Sequence, residues 1–284
     1  MRFHHVAVIS LLALAAGCRT PAPAVADAAP PVAPIIVATP APAIDVPASA
    51  APSSATGAGA DDALLARLSA LAPEADRGVL ALALAARECA VDSGEVAADS
   101  RLAVIDYSLP STKRRLWVFD VDGGKLLHHE LVAHGRGSGD NYATSFSNQA
   151  DSHQTSLGLF RTAETYVGGN GYSMRLDGLE PGVNDNARAR AIVMHGAWYV
   201  DPAMAAKQGR LGRSYGCPAL REQVARVVID ELKDRNLLFS YADNAAWLQR
   251  SRDFACSGRS ANEILADARR PAGGAASSTA VAMR

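Results

Sequence analysis

AIVMHGAWYVDPAMAAKQGRLGRSYGCPALREQ, residues 191–223, changes its hydrophobic period twice, with a histidine at the first change and a cysteine at the second. The apolar run Ala191-Ile192-Val193-Met194 reads as a strand that ends at His195-Gly196, which delivers an imidazole to a sheet edge. Further along, Cys217 stands between Gly216 and Pro218. Beyond it Leu220, Val224, Val227, Val228 and Leu232 form one stripe, with Arg221, Glu222, Arg226, Asp230 and Lys233 off it. That spacing predicts an amphipathic helix ending near Asn236, about seventeen residues long. Proline is favoured at the first helical position, so Pro218 would put Cys217 at or beside the N-cap. There the positive end of the helix dipole and its free N–H groups lower a thiol's pKa, while Gly216 permits a tight turn and close approach of a substrate. A thiolate nucleophile also needs a base, and His195 could take the thiol proton. Spacing alone leaves a second reading open, in which His195 is a hydrogen-bonded strand-end residue and Cys217 a buried thiol.

Working outward, the segment before this one is β-rich. Leu102–Tyr107 and Leu116–Val121 read as strands, Asp122-Gly123-Gly124 turns the chain, and Leu126–Ala133 returns as a hairpin. Shorter strands follow at Leu157–Phe160 and Tyr172–Leu176. Ahead of the sheet, 61–97 has helical spacing in two pieces: Leu64, Leu65, Leu68 and Leu71, then, after Pro73, a run from Val79 through Cys89.

Both termini are of another composition. Nine of the chain's 15 prolines fall in 19–60, where Arg19, Asp27 and Asp45 are the only charges; such a segment cannot bury enough surface to fold and is biased to extended polyproline II. Residues 19–60 are therefore expected to form a disordered tether reaching at most on the order of 130 Å. The tail at 268–284 is again Ala, Gly and Ser. Between them lie a helical part at 61–98 and the main domain at 99–267. The first residues, MRFHHVAVISLLALAAGCRT, read as an export signal: Arg2, then an apolar stretch from Val6 to Ala16 too short to span a bilayer. Lys and Arg number 28 against 29 Asp and Glu, and no basic run stands out, so the chain lacks the electrostatic footprint of a nucleic-acid binder.

The stretch HGAWYVDPAMAAKQGRLGRSYGCPA (195–219) resembles the active-site segment of the L,D-transpeptidase (YkuD-like) family, whose signature is His-Gly followed some twenty residues later by Ser/Thr-x-Gly-Cys. It is most similar to the murein L,D-transpeptidase branch with a Ser-x-Gly-Cys-Pro ending, and the likeness runs from near Ala103 to Leu220. The resemblance implies an α+β fold, a β-rich catalytic domain with flanking helices. It implies that Cys217 attacks, that His195 is the base held by the carbonyl of Gly196, and that N–H groups around Gly216 and Cys217 stabilise the oxyanion. The implied substrate is a peptidoglycan stem tetrapeptide: Cys217 forms a thioester to its third residue and expels D-alanine. An amine acceptor, from another stem or an outer-membrane lipoprotein, makes a transpeptidase; water makes an L,D-carboxypeptidase; and a domain that kept the fold without activity would be a peptidoglycan-binding lipoprotein. No metal or organic cofactor is implied.

Two departures from the wider family bear on substrate binding. Tyr215 stands where a histidine is common, and Pro218-Ala219 replaces the stretch that usually carries an arginine. Arg213, Arg210 or Arg190 could supply a cation for a substrate carboxylate, each equally readable as a surface charge. Ser214 is expected to brace the loop, Trp198 and Tyr199 to wall the cleft or simply pack, and His153 to line the cleft or lie in a polar loop. His134-Gly135 repeats the dipeptide with no cysteine following at a suitable spacing, and His128 and His129, being adjacent on a strand, point to opposite faces and cannot share a metal. Leu14-Ala15-Ala16-Gly17-Cys18 resembles a lipobox, which would lipidate Cys18 and anchor the chain to a membrane facing the periplasm. Cleavage after Ala13-Leu14-Ala15 would instead release a soluble product. Cys89, on the helix before the sheet, and Cys256, beyond the last helix, are left over and could pair or stand as two separate small buried side chains.

Overall fold

Lys125–Glu130 (β3) and Val132–Ala133 (β4) are separated by Leu131 alone, yet they stand at opposite ends of one nine-stranded sheet. The other strands are β1 (Leu102–Asp106), β2 (Leu116–Asp120), β5 (Gly158–Gly168), β6 (Gly171–Gly178), β7 (Val193–Gly196), β8 (Ala219–Leu220) and β9 (Leu237–Tyr241). Their order is β3-β2-β1-β9-β5-β6-β7-β8-β4. A sheet whose first and last strands are consecutive stretches of chain must curl until its ends nearly meet, which exposes little open edge. The computed structural model describes residues 57–270. The leader, Cys18 and nearly all of the expected tether and tail lie outside the described residues.

Each end of that range carries a helix into a segment read as disordered. Helix α1 (Gly57–Leu71) begins inside 19–60, and α6 (Ala261–Arg269) runs into 268–284. The fold is α+β, a mixed sheet with flanking helices. Strands β1 and β9 pair in parallel at the centre with every residue buried, as their unbroken apolar sequences demand. Helix α2 (Arg77–Asp92) covers them; Asp76 caps it by accepting the Val79 N–H at 3.0 Å, and α6 packs along it, where Arg269 reaches the same Asp76 at 3.0 Å. The hairpin turn after β2 works because Gly124 takes φ +60 and Asp120 accepts the Gly123 N–H at 2.7 Å.

Four readings of the sequence change. Strand β5 is eleven residues, reaching Gly168, and forms a long hairpin with β6. Strand β9 and helix α3 (Pro202–Gln208) had drawn no assignment. Helix α4 is Glu222–Leu232, four residues later at its start than Pro218, because Ala219 and Leu220 are already paired in β8 with β7 on one side and β4 on the other. Cys256 lies beyond no last helix: it sits in a short 3-10 turn between α5 (Ala245–Arg250) and α6, bonded to Cys89 of α2.

The C-terminal segment is pinned by two buried carboxyl groups. Glu180 accepts from Trp247 Nε1 (3.2 Å), Ser251 Oγ (3.1 Å) and the Arg252 N–H (2.7 Å), while Asp253 accepts the Leu159 N–H of β5 at 2.8 Å. Burial, reinforced by the neighbouring Glu180 carboxylate, pushes the Asp253 carboxyl up to about 8. The sign follows: the folded protein holds a proton that the unfolded chain releases near its ordinary 3.8, so stability is full below pH 4 and is lost as pH rises toward 8. Asp253→Asn, whose amide keeps the acceptor for Leu159 and donates to Glu180, is expected to match the wild type at pH 4. At pH 8.5 it should be more stable by on the order of 2 kcal/mol. Thermal melts across that range check it, and parallel curves for the two proteins would refute it.

Candidate active site

Strands β7 and β8 run parallel with His195 opposite Ala219. Two residues back along each, Cys217 lies beside Val193, so the imidazole and the thiol are diagonal neighbours on adjoining chains. The Val193 N–H donates to Cys217 Sγ at 3.5 Å, and the thiol points to the Ala191 carbonyl at 3.7 Å. Ala191 is held at φ +53 to make that turn. His195 is 4% exposed and donates from Nδ1 to its own neighbour's carbonyl, Gly196 O, at 2.9 Å, which leaves Nε2 with a free lone pair.

The chain that presents the sulfur is clasped from within. Ser214 Oγ donates to Cys217 O at 2.6 Å and accepts the Gly216 N–H at 3.1 Å. Gly216 adopts φ +124, and a Cβ there would lie 2.9 Å from both Gln154 O and Ile192 Cδ1; only glycine fits. Its N–H is committed to Ser214, so of the two oxyanion donors anticipated the Cys217 N–H is the one left.

Expecting the cysteine at a helix N-cap was wrong. Pro218 leads into β8 and α4 begins at Glu222, so Cys217 stands outside the helix rather than at its N-cap. Burial instead pushes the Cys217 thiol up, opposed by the Val193 N–H and the Arg190 guanidinium. Burial also lowers His195, opposed by its bond to Gly196. Both groups are therefore neutral at pH 7, a thiol beside an imidazole.

Several flanking residues escaped the sequence reading because sheet curling, not chain proximity, brings them in. Gly135 bridges Ser214 in parallel, and a Cβ on it would stand 2.8 Å from Gly216 Cα. The second His-Gly dipeptide thus flanks the cysteine loop opposite the first. His134 itself is buried, takes Arg115 Nη2 against Nδ1 at 2.8 Å, and is lowered to about 4 by burial and that guanidinium. Thr155 Oγ1 accepts the Gly135 N–H at 3.0 Å and reaches Gly216 O at 3.5 Å. The repeated His-Gly dipeptide was visible in the sequence, but nothing there placed it, or Thr155, beside the cysteine loop.

Arg190 is half-buried and fully employed, donating to Ser147 O (2.7 Å), Ser156 Oγ (2.6 Å), Gln154 O (2.7 Å) and Ser152 Oγ (3.2 Å). Arg213 donates to Gly139 O at 2.8 Å and pairs with Asp140 at 2.9 Å; Arg210 bonds Leu211 O at 2.9 Å and lies 3.8 Å from the same Asp140. Trp198 and Tyr215 are 69% and 62% exposed, while Tyr199 is half-buried against Gly212. His153 takes φ +53 and tilts against the Tyr215 ring at 4.6 Å. Among the described residues no group of three His, Cys, Asp or Glu side chains is placed to hold a metal ion.

The model of the L,D-transpeptidase catalytic domain family matches residues 71–241, well over half of the chain. The chain belongs to that family. Solved structures similar to this transpeptidase domain include an L,D-transpeptidase from Mycobacterium smegmatis at 15% identity, covering 50% of this chain and 59% of that one with a TM-score of 0.32. Another is an L,D-transpeptidase from Stackebrandtia nassauensis at 13% identity, covering 58% and 67% with a TM-score of 0.32. A third, the helical cell shape determining protein Pgp2 from Campylobacter jejuni, is 14% identical over 51% and 48% with a TM-score of 0.31. The chain spans 59% of the length of the first two of the structures it matches. A comparison with curated protein sequences returned no match.

Proposed function

We propose that the chain is a cysteine-dependent L,D-transpeptidase that acylates Cys217 with a peptidoglycan stem tetrapeptide, releases D-alanine and passes the acyl group to an amine. The observation that carries the reading is His195, neutral and fixed through Nδ1 so that Nε2 can only accept, diagonal to a thiol of raised pKa. Such a pair does not store a thiolate; it makes one during attack. Rotation about the Cys217 Cα–Cβ bond turns the S–H from Ala191 O toward Nε2, a bond that tightens when substrate arrives.

Nε2 takes the thiol proton as sulfur adds to the carbonyl carbon of the third stem residue. The Cys217 N–H donates to the oxyanion. Collapse breaks the bond to D-alanine, whose nitrogen leaves with the proton from His195, and a thioester remains. The acceptor amine then adds, loses its proton to His195 and expels the sulfur. The exchange of amide for thioester and back consumes no nucleotide and needs no metal or organic cofactor. Gly196, Gly216 and Ser214 hold the geometry; Tyr215, Arg213 and Trp198 border the cleft. In this reading 99–267 is the catalytic unit and 61–98 its helical support. Export, lipidation of Cys18 and a tether at 19–60 would carry the domain from a membrane into the periplasmic wall, where a stem amine or an outer-membrane lipoprotein is the acceptor.

The test is incubation of the full chain with a disaccharide tetrapeptide ending in D-alanine, followed by mass spectrometry. The expected products are free D-alanine and a cross-linked dimer. Tripeptide alone would make the acceptor water, and intact tetrapeptide beside folded protein would overturn the enzyme in favour of a wall-binding domain.

A further inference from the structure

The family's usual downstream arginine is missing, and the three arginines that could replace it are engaged: Arg190 by four hydrogen bonds, Arg213 and Arg210 by Asp140 and by backbone carbonyls. A fourth, Arg136, drew no attention in sequence because it lies eighty-one residues ahead of Cys217. The curl of the sheet brings it to the cysteine loop. Its backbone N–H donates to Ser214 O at 2.8 Å, and its guanidinium lies 4.4 Å over the ring of Tyr215.

Arg136 is exposed and, among the described residues, pairs with no carboxylate. Its side-chain hydrogen bonds, among the described residues, go to His153: Nε and Nη2 donate to Nδ1 at 3.4 and 3.2 Å. That bond fixes the His153 tautomer, since Nδ1 must accept and Nε2 must then carry the hydrogen. The ring of His153 in turn rests against Tyr215 at 4.6 Å. The result is a lip on which Nη1 of Arg136 and Nε2 of His153 have no hydrogen-bond partner among the described residues, with a cation stacked on the aromatic side chain that precedes Gly216-Cys217. With Nε and Nη2 turned to His153 on one edge, the end-on pair made by Nη1 and the second hydrogen of Nη2 remains for a bidentate carboxylate.

We propose that Arg136, held by Tyr215 and His153, binds the α-carboxylate of the terminal D-alanine of the donor stem and so selects a free carboxyl terminus one residue beyond the bond that is cut. This rests on the reading of Cys217 as the acyl acceptor. The carboxylate is three bonds from the attacked carbonyl carbon, which calls for a cation beside the cysteine loop, and Arg136 is joined to that loop at Ser214 O and Tyr215. Arg136 thereby replaces the cation the motif lacks, and Tyr215 in place of a histidine supplies its platform.

The experiment compares two substrates with the full chain: the disaccharide tetrapeptide with a free D-alanine carboxylate and the same compound as its C-terminal amide. The wild type is expected to prefer the acid by at least 30-fold in kcat/KM. Arg136→Gln is expected to lower kcat/KM for the acid by about 30-fold, mostly through KM, and to leave the amide within about threefold, so that the preference collapses. Arg136→Lys should recover part of it, because charge returns without the bidentate fork. Arg136→Gln that keeps the full preference overturns the assignment, and so does a wild type that uses acid and amide equally while still forming the Cys217 adduct. A wild type that uses neither substrate sinks the acyl-transfer reading itself. Because Arg136 is exposed, an unchanged melting temperature in the variants separates lost binding from lost folding.

Discussion

Cys217→Ala is expected to lower D-alanine release by about 10⁴-fold or more and to abolish the covalent mass adduct, since Cys217 is the free thiol among the described residues. The fold should tolerate the change at a cost of about 1 kcal/mol, because a small buried side chain is shortened by one atom and the hydrogen bonds lost, with Val193 N–H at 3.5 Å and Ala191 O at 3.7 Å, are weak. His195→Gln should cost about 10²–10⁴-fold, the usual worth of a positioned base. The wild type and His195→Gln should differ in pH dependence. Burial holds His195 below its ordinary 6.5, so the acid limb of wild-type kcat/KM should fall below that value. With the base removed, activity must come from the thiolate, which burial places above the ordinary 9.0, and the residual rate should still be climbing past pH 9. Stopped assays over pH 5–10 with the intact-protein mass check both. A Cys217→Ala enzyme that still turns over removes the cysteine from the mechanism.

How far the sequence carries this argument depends on the kind of signal. His195 and Cys217 were legible because a strand end and a Gly-Cys-Pro turn are local features, and the family resemblance joined them. Register was not legible. Leu220 fits the helical stripe of Val224, Val228 and Leu232 as well as it fits β8, and a two-residue strand has no period to read, so Pro218 was taken for a helix start. The consequence is a change of sign: away from the N-cap, desolvation outweighs the Val193 N–H and the Arg190 guanidinium, and the thiol is raised rather than lowered. Strand β9, LLFSY, is a short buried run without alternation, and such a run looks alike in a strand or a helix. Gly135, Arg136, Thr155 and the Arg115–His134 pair join the site because β4 pairs with β8 and Gly135 bridges Ser214. That is long-range information, and a single chain read in order does not contain it.

The other large effect concerns stability. The bond between Cys89 and Cys256 spans 167 residues, nearly the whole described domain, and ties the C-terminal turn to α2. A cross-link of that span removes much of the unfolded chain's freedom; the chain-entropy account gives about 5 kcal/mol, and residual structure in the unfolded state reduces it, so we expect about 3–5 kcal/mol. Cys89→Ala with Cys256→Ala, or reduction of the wild type, should therefore lower the melting temperature by roughly 8–15 °C for a domain of this size. The loss should not be uniform. Asp76–Arg269, the α2–α6 packing and the Glu180–Asp253 pair still hold the C-terminal segment, but each is a local contact that yields when the segment frays. Amide exchange in 245–269 should accelerate first, while β7 and β8 around Cys217 stay protected and acyl transfer at 25 °C is retained. Calorimetry with and without reductant, paired with hydrogen exchange, measures both. A shift below about 2 °C would mean that packing alone secures the C-terminal helices and that the cross-link adds nothing to the fold. A large shift with uniform exchange would mean that the segment is part of the cooperative core, so that an oxidising compartment is a condition of folding and not only of forming the cross-link.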